Sequence, residues 1–529
     1  MMDDWMSECL TEHNDCISTA NGYRPTRLLK LGPNEIFQLV NGDECPEDIR
    51  YAALSYSWGP RPAEEQLRLL ATTWDYLHQE QPVASLPTTF RDAIKVARHF
   101  GVDHLWIDRL CIFQDSAQDW ERESSRMHDV YQNAHFSIAA LSARDADGGL
   151  FFERDPASVV PSFVRIKTTP GGEEEAFMYR DEDGGSWKAS SWRGEPLTER
   201  SWVLQERLLA PRTLYFGSKQ IFWECRERKR CEVNPLRCDE EVVIGYVADS
   251  GRGSRFASTA DALAPKSTRT PWKRLLDARE VRHTDDDLEQ VFLDWNATVM
   301  SYAGLKLSFA KDKLVAISGI AQAMKSRLEA LKPGPHRYLA GMWEESLLET
   351  LCWHAGGAAK VRPAEYRAPS WSWASLDGLI GSVGVTERGI DRAASVVRLM
   401  SAEVQGKTPN GMGEVESGEI NLMGCRVIRS ISDLNNGDVV ILNSPIPTRG
   451  MLAVFDTQED VAELASLIWV YIEPYLQKSW RIKGLMFAQV EPGSFRCFRR
   501  VGIAYVNFDT KDEAEALLRD SNIRTVALI

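Results

Sequence analysis

Apolar runs alternate with helix-spaced apolar positions along the first third of the chain. "YAALSYSWG" (51–59) is an apolar, aromatic run closed by Gly59 and Pro60, as expected of a buried strand. In "SLPTTFRDAIKVARHFG" (85–101), Phe90, Ala93, Ile94, Ala97 and Phe100 share one helical face. Ser85 is placed to cap this helix, Pro87 suits its first turn and Gly101 its stop. "HLWID" (104–108) reads as a second strand and 117–133 as a second helix, with Trp120, Ser124, Met127, Val130, Tyr131 and Ala134 on one face. "HFSIAAL" (135–141) is a third strand. The order strand, helix, strand, helix, strand predicts right-handed βαβ units, hence an α/β fold with a parallel sheet.

Beyond residue 155 the pattern loosens. "TERSWVLQERLLAPRTLYFGSKQIFWECRE" (198–227) starts helix-like and turns strand-like at "TLYFG" and "QIFWEC". Gln205, Glu206 and Arg207 stand in its apolar run, where a buried, paired network docking the segment on the sheet is expected. The divisions that follow are an N-terminal arm (1–50), an α/β core (51–155), a continuation docking on it (156–248), and a Ser/Gly/Arg/Thr-rich mobile loop (249–271). A helical and mixed region (272–394) and a β-rich C-terminal region (395–529) complete the chain. The tryptophans of "PSWSWASLDG" (369–378) read as packing residues.

Composition narrows the function classes. A net charge of −14 argues against general nucleic-acid or anionic-membrane binding, and the basic run "RERKR" (226–230) reads as a solvated loop. The longest apolar run, 464–472, is too short to span a bilayer, and the start has no signal-peptide pattern. The ten cysteines are therefore expected as reduced thiols in the cytoplasm. Cys225, Cys231 and Cys238 are too far apart for a zinc knuckle, and His104, His128 and His135 lack metal spacing, so no metal is expected. Walker A, G-x-G-x-x-G, H-E-x-x-H and G-x-S-x-G signatures are absent.

The candidate chemistry lies at strand ends. In a parallel sheet, ligands bind beyond the carboxyl ends of the strands. The first end presents Ser55, Tyr56, Ser57 and Trp58; the second Asp108, Arg109, Cys111 and Gln114; the third Ser142, Arg144 and Asp145. Two readings stand for each. Asp108 caps its own turn or meets a ligand, and Arg109 pairs with a carboxylate or grips a phosphate. Tyr56 and Trp58 are core aromatics or a stacking wall for a flat ring. Cys111 is a small buried hydrophobe or a nucleophile. Glu123 shares a helix face with Trp120 and Met127, so it is either paired with Arg109 or Arg126 or held for function.

"YAALSYSWG", "LPTTFRDAI", "LWIDRLCIFQD", "DWERESSRMHDVYQNA", "SIAALSARDADGGLF" and "RSWVLQERLLAPRTLYF" together resemble the fungal heterokaryon-incompatibility (HET) domain family. The likeness covers about 50–225 well and 300–380 loosely, through "YRAPSWSWASLDG". It implies a role in non-self recognition and programmed cell death. The family is distantly similar to TIR domains, which implies a flavodoxin/TIR-like parallel sheet with helical and β-rich extensions. Some TIR domains cleave NAD at the nicotinamide–ribose bond with a helix-borne Glu. By that analogy "DW-x-x-E" places the role on Glu123, with Asp108 beside it as a second catalytic candidate and Tyr56, Trp58, Arg109, Cys111, Gln114 and Arg144 as ligand-binding candidates. No cofactor is implied, with NAD as substrate rather than helper, and the expected partners are a nucleotide or other small molecule and a second copy of the chain. Two alternatives stay open: a self-associating signalling module without chemistry, and a HET-like enzyme of small-molecule biosynthesis.

Overall fold

The computed structural model describes residues 1–16, 22–155, 159, 162–169, 172–178, 192, 194–233, 235, 285–381, 394–408, 410–427, 439–441, 450–462, 466–475, 479–490, 497–519 and 522–529. The expected mobile loop at 249–271 lies outside them. Two compact units result, one built on Met1–Ile244 and the other on Ala278–Ile529.

In the first unit, the strands of the main sheet are β1 (Arg27–Gly32), β2 (Ile36–Asn41), β3 (Ala52–Ser55), β4 (Gln81–Pro82), β5 (His104–Trp106) and β6 (Phe136–Ala139). After a separate hairpin, β7 (Ser162–Thr169) with β8 (Gly172–Met178), the sheet is completed by β9 (Arg212–Phe216), β10 (Ile221–Cys225) and β11 (Lys229–Cys231). Its helices are α1 (Met2–Thr11), α2 (Trp74–Leu77), α3 (Thr88–His99), α4 (Asp108–Cys111), α5 (Ala117–Asn133) and α6 (Ser201–Leu209).

The sheet runs β11-β10-β9-β6-β3-β5-β1-β2-β4. At its centre β3 pairs in parallel with β5 and β6, and β6 with β9. The three strands read from the hydrophobic pattern are thus neighbours and parallel, with α3 and α5 as crossovers. Every residue of β3, β5 and β6 is buried, which is why their sequences show no polar alternation. The sheet as a whole is mixed, and this corrects the wholly parallel sheet expected. β1 runs antiparallel to β5 and β2, and β10 antiparallel to β9 and β11. The links 33–35 and 217–220 are too short for a crossover, so each forces a hairpin. In chain order the four parallel strands stand second, first, third, fourth, and the direction of winding reverses between β3 and β6.

α3 stops where expected: Gly101 takes φ +68°, the left-handed region glycine enters freely, and its N–H bonds the Arg98 carbonyl. Ser85 does not cap it, because the turn Val83–Ser85 precedes Pro87.

The second unit holds the helices Asp285–Ala303 and Val315–Leu331 and a β-rich sheet. That sheet is built mainly from antiparallel strands, among them Val415–Val427, Ser466–Tyr475, Ser479–Gln489 and Phe498–Phe508. Trp371 and Trp373 are buried packing residues, as their motif suggests. Among the described residues no helix is long and apolar enough to cross a membrane.

Candidate functional site

At the carboxyl ends of the parallel strands three loops converge. β3 ends at Ser55, and the chain leaves the sheet through Tyr56, Ser57 and Trp58 to Gly59. Gly59 takes φ +79°, and a Cβ there would stand 2.2 Å from the Asp145 Cβ, so only glycine lets the β3 loop lie on the β6 loop. Trp58 Nε1 donates to Asp108 Oδ2 at 2.7 Å, which ties the β3 loop to the β5 loop. Asp108 Oδ1 accepts the Arg109 N–H at 2.6 Å, so Asp108 does anchor its own turn and meets Trp58 as well.

Glu206 fills the space behind Ser55. It lies on α6, is 8% exposed, and accepts a hydrogen bond from Ser55 Oγ. The buried Tyr131 hydroxyl, which donates to the Leu54 carbonyl at 3.2 Å, acts on the same carboxyl and holds its pKa down slightly. Burial pushes the Glu206 carboxyl up to about 7; the Ser55 hydrogen bond and the Arg200 charge oppose the rise, and the Asp108 charge adds to it. Arg200 in turn donates to the Tyr56 carbonyl. A carboxyl that changes protonation near neutrality, beside a second carboxylate, is a proton donor and acceptor in waiting.

The remaining candidates divide. Arg109 is buried, with its guanidinium 4.6 Å from the Phe90 ring centre and 5.9 Å from that of Tyr56. Its Nη1 donates to Gln66 Oε1 at 2.9 Å, and its Nε has no partner among the described residues. The expected carboxylate pair for Arg109 does not form there. Tyr56 is a core aromatic, packed edge-on against Phe90 at 5.0 Å, while Trp58 is half-buried. Gln114 turns inward, donating to the carbonyls of Asp108 and Ile112. Cys111 is a buried thiol pushed up to about 12 by desolvation, which keeps it protonated and unsuited to nucleophilic attack. Arg144 is exposed on the loop after β6.

Glu123 stands apart from Glu206 in its bonding. Its Oε1 accepts from Thr26 Oγ1 at 2.9 Å and Arg122 Nε at 3.0 Å, with Arg27 Nη2 at 3.7 Å. Arg27 also binds both oxygens of Asp119, at 2.6 and 2.8 Å, and the Cys111 carbonyl at 2.8 Å. The expected partners Arg109 and Arg126 are replaced by Arg27 and Arg122. Arg27 had no signal in the sequence, because it opens a strand in what reads as a featureless arm. Ser55, Tyr131 and Glu206 were each visible, but only the fold brings them together. Among the described residues, no metal-ligand cluster forms at this end of the sheet.

The basic run at 226–230 is not the solvated loop it reads as. Lys229 and Arg230 lie in β11, Arg230 is buried and pairs with Glu8, and Arg226 bonds the Asp15 carbonyl.

Residues 51–206 match the family model described as heterokaryon incompatibility protein (HET). No curated protein and no solved structure matches the chain. The matched stretch opens next to β3 and closes on Glu206, so it takes in the three loops, Asp108, Glu123 and the carboxyl cluster, and it ends before β9. Over residues 51–206, the α/β core of this chain is thus similar to the heterokaryon-incompatibility domain.

Proposed function

We propose that the protein acts as heterokaryon-incompatibility proteins do, in non-self recognition and cell death after fusion of unlike cells, and that it hydrolyses NAD at the nicotinamide–ribose bond. The supporting observation is Glu206: a carboxyl poised near neutrality, beside Asp108, where the strand order reverses and doubly wound sheets bind their ligands. Asp108 would stabilise the oxocarbenium-like charge that develops on the ribose as the bond to nicotinamide breaks. Glu206 would take a proton from the incoming water, which leaves nicotinamide and ADP-ribose as products. Arg109, buried and with no carboxylate paired to it among the described residues, would be the cation for the phosphates, and half-buried Trp58 the face for a flat ring. Glu123, where the TIR likeness puts the carboxylate, competes for the role, although Thr26, Arg122 and Arg27 already engage it.

A second reading has its own support. Glu206 is almost closed to solvent and bonded by Ser55, as a group that merely docks α6 would be. On that reading the domain signals by association, without turnover. Nicotinamide release from NAD, followed by chromatography on purified protein, decides. Turnover lost by at least ~100-fold in Glu206→Gln but kept in Glu123→Gln supports the assignment above, since one key electrostatic group is worth that much. Turnover lost only in Glu123→Gln moves the role to Glu123. No turnover in the folded wild type removes the chemistry.

A further inference from the structure

A second side-chain cluster lies at the opposite end of the same sheet. Cys225 closes β10 and stands across from Arg212, the first residue of β9. Because β9 runs parallel to β6 and β3, this is the amino end of the parallel strands, away from Glu206. Cys9 comes to it from α1, with His13 and Cys16 from the turn that follows. All four residues are buried, and their ligand atoms lie within 4.8 Å of one another. Cys225 Sγ is 3.3 Å from His13 Nδ1. A tetrahedral zinc with bonds of ~2.3 Å to sulfur holds its sulfurs about 3.8 Å apart, inside that spread.

The surroundings are those of a thiolate centre. Arg212 Nε donates to Cys9 Sγ at 3.3 Å and the Arg228 N–H to Cys225 Sγ at 3.2 Å. Arg212 is 2% exposed, and its other donors go to the carbonyls of His135 and Cys16. Among the described residues no carboxylate is hydrogen-bonded to it, and a buried guanidinium facing only thiols and carbonyls would be uncompensated. Three thiolates, a neutral imidazole and a divalent cation sum to one negative charge, which Arg212 would balance. On the far side of the imidazole, His13 Nε2 is 3.5 Å from Glu8 Oε1, and Arg230 holds that carboxylate. A carboxylate behind a histidine in this way orients the ring and fixes its tautomer for a metal on the other nitrogen.

We propose that Cys9, His13, Cys16 and Cys225 bind a zinc ion in a structural site that fastens the N-terminal segment to β10. The donor set is soft, which selects zinc over hard cations, and four protein ligands leave no open position for chemistry. Cys9-x-x-x-His13-x-x-Cys16 is legible in the sequence, but its fourth ligand comes far downstream and only the sheet closes the set. Both flanks of the site lie outside the matched stretch 51–206, so the folded domain would be clamped by residues beyond it at each end.

The test is metal analysis of the full-length protein purified without chelator. One zinc per chain is expected, with sulfur-to-metal charge-transfer absorption when cobalt replaces it. Cys225→Ser should lose the metal, His13→Cys should keep it as a four-thiolate site, and Cys352→Ser, in the second unit, should keep it too. If Cys225→Ser fails to fold, release of zinc from the wild type on titration with a thiol-blocking mercurial carries the same information. Folded wild type without zinc and without the cobalt band overturns the proposal. So does a mass showing Cys9 and Cys16 joined as a disulfide, or zinc retained in folded Cys225→Ser.

Discussion

At the scale of single residues, Glu206 controls a pH dependence with a definite sign. Its carboxyl titrates at about 7 when folded, against an ordinary value of 4.5, so the folded state holds its proton more tightly than the unfolded chain does. The stability it contributes is complete below about pH 4.5 and is lost as pH rises through about 7. The loss is of the order of 3 kcal/mol if the whole difference is expressed. Glu206→Gln is neutral at every pH and should escape it. The variant should therefore melt at about the same temperature as wild type near pH 5, and progressively higher than wild type up to about pH 8. Parallel melting curves check this; a constant difference across that range would mean that Glu206 is not the titrating group.

Between elements, β1 and α5 are joined by ions rather than by apolar contact alone. Arg27 on β1 binds Asp119 and nears Glu123, both on α5, and all three are buried. Arg27→Met would leave the two buried carboxylates with Arg122 as their one paired cation among the described residues, and removal of one partner from a buried pair costs ~3–5 kcal/mol. Glu123→Gln keeps a hydrogen-bonding group and should cost ~1–3 kcal/mol if its role is structural. Urea denaturation of the two variants ranks them. An Arg27→Met protein as stable as wild type would show that the β1 hairpin docks without these charges.

For the whole molecule, the matched stretch and the folded unit differ. Residues 51–206 contain β3, β5 and β6 but neither β1 nor β9, the strands that cover the outer edges of β5 and β6. Exposed strand edges invite pairing with other chains. A fragment 51–206 should be aggregated or uncooperative, while 1–244, which keeps all nine strands of the sheet, should melt cooperatively by circular dichroism. A soluble, cooperative 51–206 would refute this.

The sequence alone determined what repeats locally. The apolar runs at 51–59, 104–108 and 135–141 and the helical spacing of Phe90, Ala93, Ile94 and Ala97 are short-range signals, and they suffice for parallel βαβ units. The family likeness was legible too, because its motifs are contiguous. The meetings of distant residues, by contrast, come from the folded chain. Arg27 with Asp119, Ser55 with Glu206, and Cys9 with Cys225 are contacts between segments whose polar groups look unremarkable in isolation. The mixed edges of the sheet belong to the same class, since a hairpin chooses its neighbour by which sheet edge is left open. Pairing and burial decide whether a carboxylate is a brace, as Glu123 is bonded here, or a group near neutrality, as Glu206 is. Both depend on what the folded chain brings within a few ångströms, and sequence spacing does not encode that distance.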